Sequence, residues 1–253
     1  VFENGKEIQF VSEREPAKIP WGKYGVEIVM EATGVFRTKE LAMQHLVGGA
    51  KKVVLSAPAK GGDVKTVVLG VNEELLDDSD LIVSNASCTT NSAAPMLKVI
   101  KEICKIESAY ITTVHSYTSD QRLHDAPHSD LRRARAAAES IVPTTTGAAK
   151  ALAKIFPELD GKIGGCGIRV PVPDGSLTDL TLIVMNAPTE EQIKEAMKKA
   201  SLGELKGILE YTNDPIVSVD VIGNPHSCVF DARLTSVMGN MVKIMGWYDN
   251  EAG

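Results

Sequence analysis

Cys88 stands in the run Ser87-Cys88-Thr89-Thr90-Asn91, after the apolar residues Leu81-Ile82-Val83 and before a helical pattern from Ala93 to Lys105. That places a thiol where a strand passes into a helix. The first backbone N–H groups of a helix lack intrahelical partners and carry the positive end of its dipole. Those amides stabilise an anion, so a thiol there is expected to ionise readily and act as a nucleophile. A buried structural cysteine is the alternative, but the four polar neighbours argue against an inert apolar pocket. His115 closes a β-like run, Ala109 to Val114, and precedes a long polar stretch from Ser116 to Ile141. Scaffolds present catalytic side chains at such strand ends, although a lone histidine also serves as a satisfied structural residue. A thiolate and an imidazolium side by side stabilise each other's charge. By itself the pair fits a cysteine protease as well as any other thiol enzyme.

The elements that must position this pair fall into two groups. In the first third, β-like runs (27–32, 52–56, 81–83, with a short apolar piece at 67–69) alternate with an amphipathic helix over 38–47 that Gly48-Gly49 ends. Strands alternating with helices imply a parallel sheet, which binds ligands at its carboxyl edge. Thr33-Gly34, Ser56-Ala57 and Ser87-Cys88 are therefore expected along one rim. No G-x-G-x-x-G loop opens a βα unit; Gly164-Gly165-Cys166-Gly167 has the glycines at the wrong spacing and leads into a strand. After Cys88 the pattern changes to α+β. A long helix (88–105) and the His115 strand precede long runs at 167–172, 177–185, 217–222, 228–238 and 241–248, expected as antiparallel strands of one large sheet. A helix over 189–200 intervenes, with Thr189 as N-cap. The expected fold is thus α/β: a partial Rossmann-type parallel sheet over residues 1–87, then an α+β catalytic domain over 88–253 with a large mixed or antiparallel sheet.

Composition narrows the function. The chain has 253 residues, 43% hydrophobic and 24% charged, with a net charge of −6, so nucleic acid and membrane are not expected partners. The basic cluster Arg132, Arg133, Arg135 is read as internal ion pairing. No apolar stretch reaches the roughly 20 residues that span a bilayer. Four scattered cysteines without a C-x-x-C pair suit a reducing cytosol rather than a disulfide framework or a zinc site, and no metal is expected. The ends, Val1-Phe2-Glu3-Asn4-Gly5 and Asn250-Glu251-Ala252-Gly253, read as those of a fragment.

Six motifs carry a family resemblance: Ser87 to Asn91, His115-Ser116-Tyr117-Thr118, Asp130 to Arg135, Thr146-Gly147-Ala148-Ala149-Lys150, Arg169-Val170-Pro171-Val172-Pro173 and Trp247 to Gly253. In this order they resemble glyceraldehyde-3-phosphate dehydrogenase over essentially the whole chain. The resemblance implies a cytoplasmic glycolytic oxidoreductase that converts D-glyceraldehyde 3-phosphate to 1,3-bisphosphoglycerate through a Cys88 thioester, with His115 as general base. It assigns Arg169 and Thr118 to the substrate phosphate, and Ser87, Thr146 and Gly147, with Thr89 nearby, to the attacking inorganic phosphate. An Arg fork and a hydroxyl suit such anions. Arg14, Thr33, Gly34, Ser56, Ala57 and Asn250 match cofactor-binding positions. The resemblance also implies a homotetramer, a missing N-terminal part with the glycine loop, a missing last stretch of the C-terminal helix, and activity of a longer parent.

Departures from the family pattern bear on the cofactor. Asp125-Ala126-Pro127-His128 lies between the spellings of NAD-specific and NADP-using relatives, so NAD is expected and NADP stays open. Ser92 replaces a second cysteine found in many relatives. Two rival readings share much of the sequence: erythrose-4-phosphate dehydrogenase, and a non-catalytic scaffolding or RNA-binding relative. Against the second, Cys88, His115, Arg169 and the anion-site threonines are all present.

Overall fold

The computed structural model describes residues 2, 3 and 5–253; Val1 and Asn4, part of the expected first domain, lie outside the described residues. The chain divides into two compact units, Val1–Val67 with Glu74–Ala86, and Val68–Glu73 with Ser87–Gly253.

The first unit opens with a short antiparallel pair, β1 (Phe2–Glu3) and β2 (Lys6–Glu7). Then follow β3 (Ile28–Glu31), α1 (Lys39–Val47), β4 (Lys52–Leu55), β5 (Lys65–Thr66) and β6 (Ile82–Ser84). The last four strands form one parallel sheet in the order β3-β4-β6-β5. Its core is Ala42 of α1 against Val53, Leu55, Val64 and Ile82. Thr38 caps α1 by accepting the Leu41 N–H at 3.3 Å. Gly48 follows α1, and a Cβ there would sit 2.4 Å from the Ile19 carbonyl oxygen, so only glycine lets the helix end meet the preceding turn. The apolar piece expected at 67–69 is displaced: the ladder runs at Lys65–Thr66 and ends with Val67 N–H on the Ser84 carbonyl.

The second unit contains α2 (Cys88–Ile103), β7 (Lys105–Ser116), β8 (Val142–Thr144), α3 (Ala148–Ile155), β9 (Ile163–Val170), β10 (Ser176–Met185), α4 (Glu190–Leu202), β11 (Leu209–Thr212), β12 (Cys228–Asp231), β13 (Ser236–Met238) and β14 (Met241–Tyr248). They build one eight-stranded mixed sheet, β11-β12-β14-β10-β7-β9-β8, with β13 on β14. Thr189 and Gln192 form a reciprocal capping box at the start of α4.

Three expectations about strands fail here. The 167–172 run is antiparallel to only one of its neighbours: β9 pairs antiparallel with β8 but runs parallel to β7, with His115 opposite Arg169. Apolar patterning carries no direction; the connection does, and residues 117–162 are long enough for a crossover. Residues 217–222 are a turn rather than a strand, since the Asp220 carboxylate accepts the Val217 N–H at 2.8 Å. Likewise 228–238 is broken at Ala232–Leu234, where the Asp231 side chain accepts the Arg233 N–H at 3.0 Å. In both places a local side-chain bond outcompetes the sheet.

Candidate active site

Ser87 is the N-cap of α2, accepting the Thr90 N–H at 3.2 Å, and this fixes Cys88 as the first helical residue. His115 is the penultimate residue of β7. The two meet: Cys88 Sγ lies 3.4 Å from His115 Nε2. Cys88 is half-buried while His115 is only 4% exposed. On the other side of the ring, Nδ1 lies 2.8 Å from the Ser116 carbonyl. Arg169 Nη1 donates to that carbonyl at 3.0 Å and rests against Nδ1. With its proton on Nδ1, a neutral ring presents the Nε2 lone pair to the thiol.

Burial works against the expected thiolate–imidazolium pair. Burial pushes the Cys88 thiol up; hydrogen bonds from Thr89 and the Arg169 charge pull the other way without overcoming it. Burial, then the Arg169 guanidinium, pushes His115 down to about 4. Low-dielectric surroundings disfavour both charged forms. A neutral imidazole is the form able to take a proton.

Two partners were not signalled by the sequence. Tyr248, at the end of β14, is buried, and its hydroxyl meets Thr89 Oγ1 at 2.8 Å and Thr113 Oγ1 at 3.0 Å. Its ring packs edge-on against His115. The Thr89 hydroxyl thus lies between the Tyr248 hydroxyl and the Cys88 sulfur. Ser116 and Ser176 both donate to Asn250 Oδ1 at 2.7 Å. Ser176 Oγ accepts the Ser116 N–H at 3.1 Å, so its own hydrogen points to Asn250. That fixes the amide and leaves Asn250 Nδ2 buried without a partner. A serine's side of such a network carries no sequence signature, because serines occur throughout polar turns.

The remaining residues distribute as follows. Arg169 stands opposite Val142 on β8 as well as opposite His115 on β7, and Thr118 lies two residues past the end of β7. Thr146 accepts the Ala148 N–H at 3.2 Å and Gly147 is the N-cap of α3. Gly147 has a right-handed backbone, and no atom lies within 4 Å of where its Cβ would be. The fold does not need glycine there, and the residue is exposed. In the first unit, β3 and β4 are neighbours in register, so Thr33-Gly34 and Ser56-Ala57 share one carboxyl edge. The Ala57 carbonyl is held by the Ser84 hydroxyl at 2.9 Å. Arg14 is exposed, with its N–H on Glu13. Arg133 and Arg135 pair with Asp120 and Asp125.

The first unit is thus a parallel α/β sheet with a polar carboxyl edge, and the second an α+β unit carrying a thiol, an imidazole and a guanidinium in contact. Residues 1–39 match the NAD binding domain of glyceraldehyde 3-phosphate dehydrogenase, and residues 87–250 match its C-terminal domain. Among similar proteins, glyceraldehyde-3-phosphate dehydrogenase 2 of Streptomyces avermitilis is 56% identical over 252 residues, covering 99% of this chain and 75% of that protein. Glyceraldehyde-3-phosphate dehydrogenase 1 of Bacillus subtilis is 52% identical over the same length and shares. The chain belongs to the glyceraldehyde-3-phosphate dehydrogenase family and spans about 75% of the length of those relatives. It is an NAD-binding oxidoreductase of the glycolytic type. Among the described residues no helix is long and apolar enough to cross a membrane.

Proposed function

We propose that residues 88–253 carry the phosphorylating oxidation of D-glyceraldehyde 3-phosphate at Cys88, and that residues 1–87 serve dinucleotide binding. Cys88 Sγ attacks the aldehyde carbon as its proton passes by way of His115 Nε2 to the carbonyl oxygen, giving a hemithioacetal on the sulfur and a neutral imidazole. His115 then takes the hydroxyl proton of that adduct as the carbon is oxidised, leaving a thioester at Sγ. Bound NAD supplies the hydride acceptor. Inorganic phosphate attacks the thioester carbon, the C–S bond breaks, and Sγ recovers its proton from His115. Arg169 with Thr118 holds the substrate phosphate; Ser87, Thr146 and the open N–H of Gly147 receive the attacking phosphate. Thr89 acts through Tyr248, positioning the first turn of α2.

The residues present fit the dinucleotide. Asn250 Nδ2 is an orphaned buried donor, which a carboxamide oxygen satisfies. Arg14, Thr33, Gly34, Ser56 and Ala57 are proposed as contacts in the first unit. The intact enzyme is proposed to be a cytoplasmic homotetramer.

The 3.4 Å Sγ–Nε2 contact carries this reading. It is tested by following NADH formation with glyceraldehyde 3-phosphate in the presence and absence of inorganic phosphate, beside erythrose 4-phosphate. Cys88→Ala is expected to abolish turnover and His115→Asn to lower it by about 10²–10⁴-fold. Full activity of Cys88→Ala refutes the assignment.

A further inference from the structure

The first unit holds one buried acid that the thiol chemistry does not use. Glu31, the last residue of β3, is 4% exposed, and so is His45 on α1. A carboxylate tolerates such burial only with its oxygens satisfied. Here each oxygen has its own partner. His45 Nε2 lies 2.9 Å from Oε2. The Thr33 backbone N–H donates to Oε1 at 2.8 Å, and the Thr33 hydroxyl bonds to the same oxygen. The Trp21 indole N–H sits 3.2 Å from His45 Nδ1. An indole can only donate, so Nδ1 accepts and the ring proton is on Nε2, facing the carboxylate. The Trp21 and Phe36 rings pack against the imidazole from two directions. The bonds thus run one way, from Trp21 through His45 to Glu31, and end by clamping Thr33.

The polarity of that clamp has a consequence for the strand end. A carboxylate has no proton to give, so the Thr33 hydroxyl hydrogen is committed to Glu31. Its oxygen accepts the Val35 N–H at 3.1 Å. The one remaining lone pair belongs to an exposed residue. Thr33 therefore offers an acceptor and nothing else. We propose that the Glu31–His45 pair is a positioning device for the dinucleotide: it fixes Thr33 as a pure acceptor, so this strand end takes a hydroxyl or amine of the cofactor and rejects a phosphoryl oxygen. The inference rests on the reading of Thr33 as a dinucleotide contact.

The test separates the two in the intact enzyme. Thr33 is exposed, so Thr33→Val and Thr33→Ser leave the core untouched. Thr33→Val is expected to raise KM and Kd for NAD about tenfold, and Thr33→Ser to restore them. Glu31→Gln is expected to reproduce the Thr33→Val shift, with kcat and the KM for aldehyde within about twofold of wild type. A purely structural pair would instead lower stability and move all constants together. If Thr33→Val weakens NAD and a folded Glu31→Gln does not, the positioning role is overturned while the contact stands. If neither moves NAD affinity, the contact reading itself falls. Glu31→Asp keeps the charge and shortens the reach, and carries the same expectation should Glu31→Gln not fold.

Discussion

Replacing Tyr248 by Phe removes one oxygen and unsettles two threonines. The phenol hydroxyl bridges Thr89 Oγ1 on α2 and Thr113 Oγ1 on β7 at 2.8 and 3.0 Å, and those threonines are 5% and 3% exposed. Burial pushes the phenol further above its ordinary range, so it stays neutral and keeps its hydrogen. Each bond is worth about 1 kcal/mol net, and a buried hydroxyl left unpaired loses about 1–3 kcal/mol of solvation. Tyr248→Phe is therefore expected to destabilise the protein by about 2–3 kcal/mol in urea unfolding. The decisive measurement is a double-mutant cycle. Thr113→Val substitutes an apolar isostere for one partner, and in the Tyr248→Phe background it no longer breaks a bond. The double variant is expected to be about 1 kcal/mol more stable than the sum of the singles predicts. Turnover should fall with Tyr248→Phe as well, because Thr89 follows Cys88 in the first turn of α2. Additivity within about 0.5 kcal/mol would show that the hydroxyl bridges nothing that matters.

His115, held down to about 4, binds a proton in the unfolded chain before it does in the folded one. Stability from this group is therefore present above pH 6.5 and lost as pH falls through 4. Taking 6.5 for the unfolded state, about 2 kcal/mol should go between pH 7.5 and 5. His115→Gln removes that slope, and parallel wild-type and variant curves would sink the assignment. Arg169→Gln deletes the second cause of the shift, so the His115 midpoint followed by NMR should rise while staying below 6.5; an unmoved midpoint argues against the contact. Gly165→Ala places a Cβ 2.4 Å from Ile111 Cγ2 and 2.7 Å from the Ile111 carbonyl, and should lower stability by about 1–3 kcal/mol in thermal or urea unfolding. Ser176→Ala removes one of the two hydroxyls that hold the Asn250 amide, and KM for NAD is expected to rise several-fold with kcat less affected; an unchanged KM would detach Asn250 from the cofactor.

Local chemistry was legible where it is written in consecutive residues. The Ser87-Cys88 helix start, the Thr189 cap and the β7 strand ending at His115 all follow from patterns within a few positions. The parallel setting of β9 was not legible, since Ile163–Val170 looks the same in either direction and only the crossover decides it. The turns at Ser218 and Ala232 hid inside apolar runs because one aspartate each, Asp220 and Asp231, redirects the backbone. The electrostatics of the Cys88–His115 pair depend on packing for a related reason. The helix start favours a thiolate and burial opposes it, and burial is set by elements far apart in sequence. Glu31 and His45 went unremarked as a pair because a strand residue and a helix residue give no sign of sharing a proton until packed.

The opposition of His115 and Arg169 across β7 and β9 makes the proposed site intolerant of insertions within those two strands. One residue added within either strand would turn every later side chain to the other face, carrying the imidazole or the guanidinium away from the sulfur. Added length between residues 117 and 141 leaves that alignment alone. Natural length variation should therefore collect in that surface segment and stop abruptly at the strand borders.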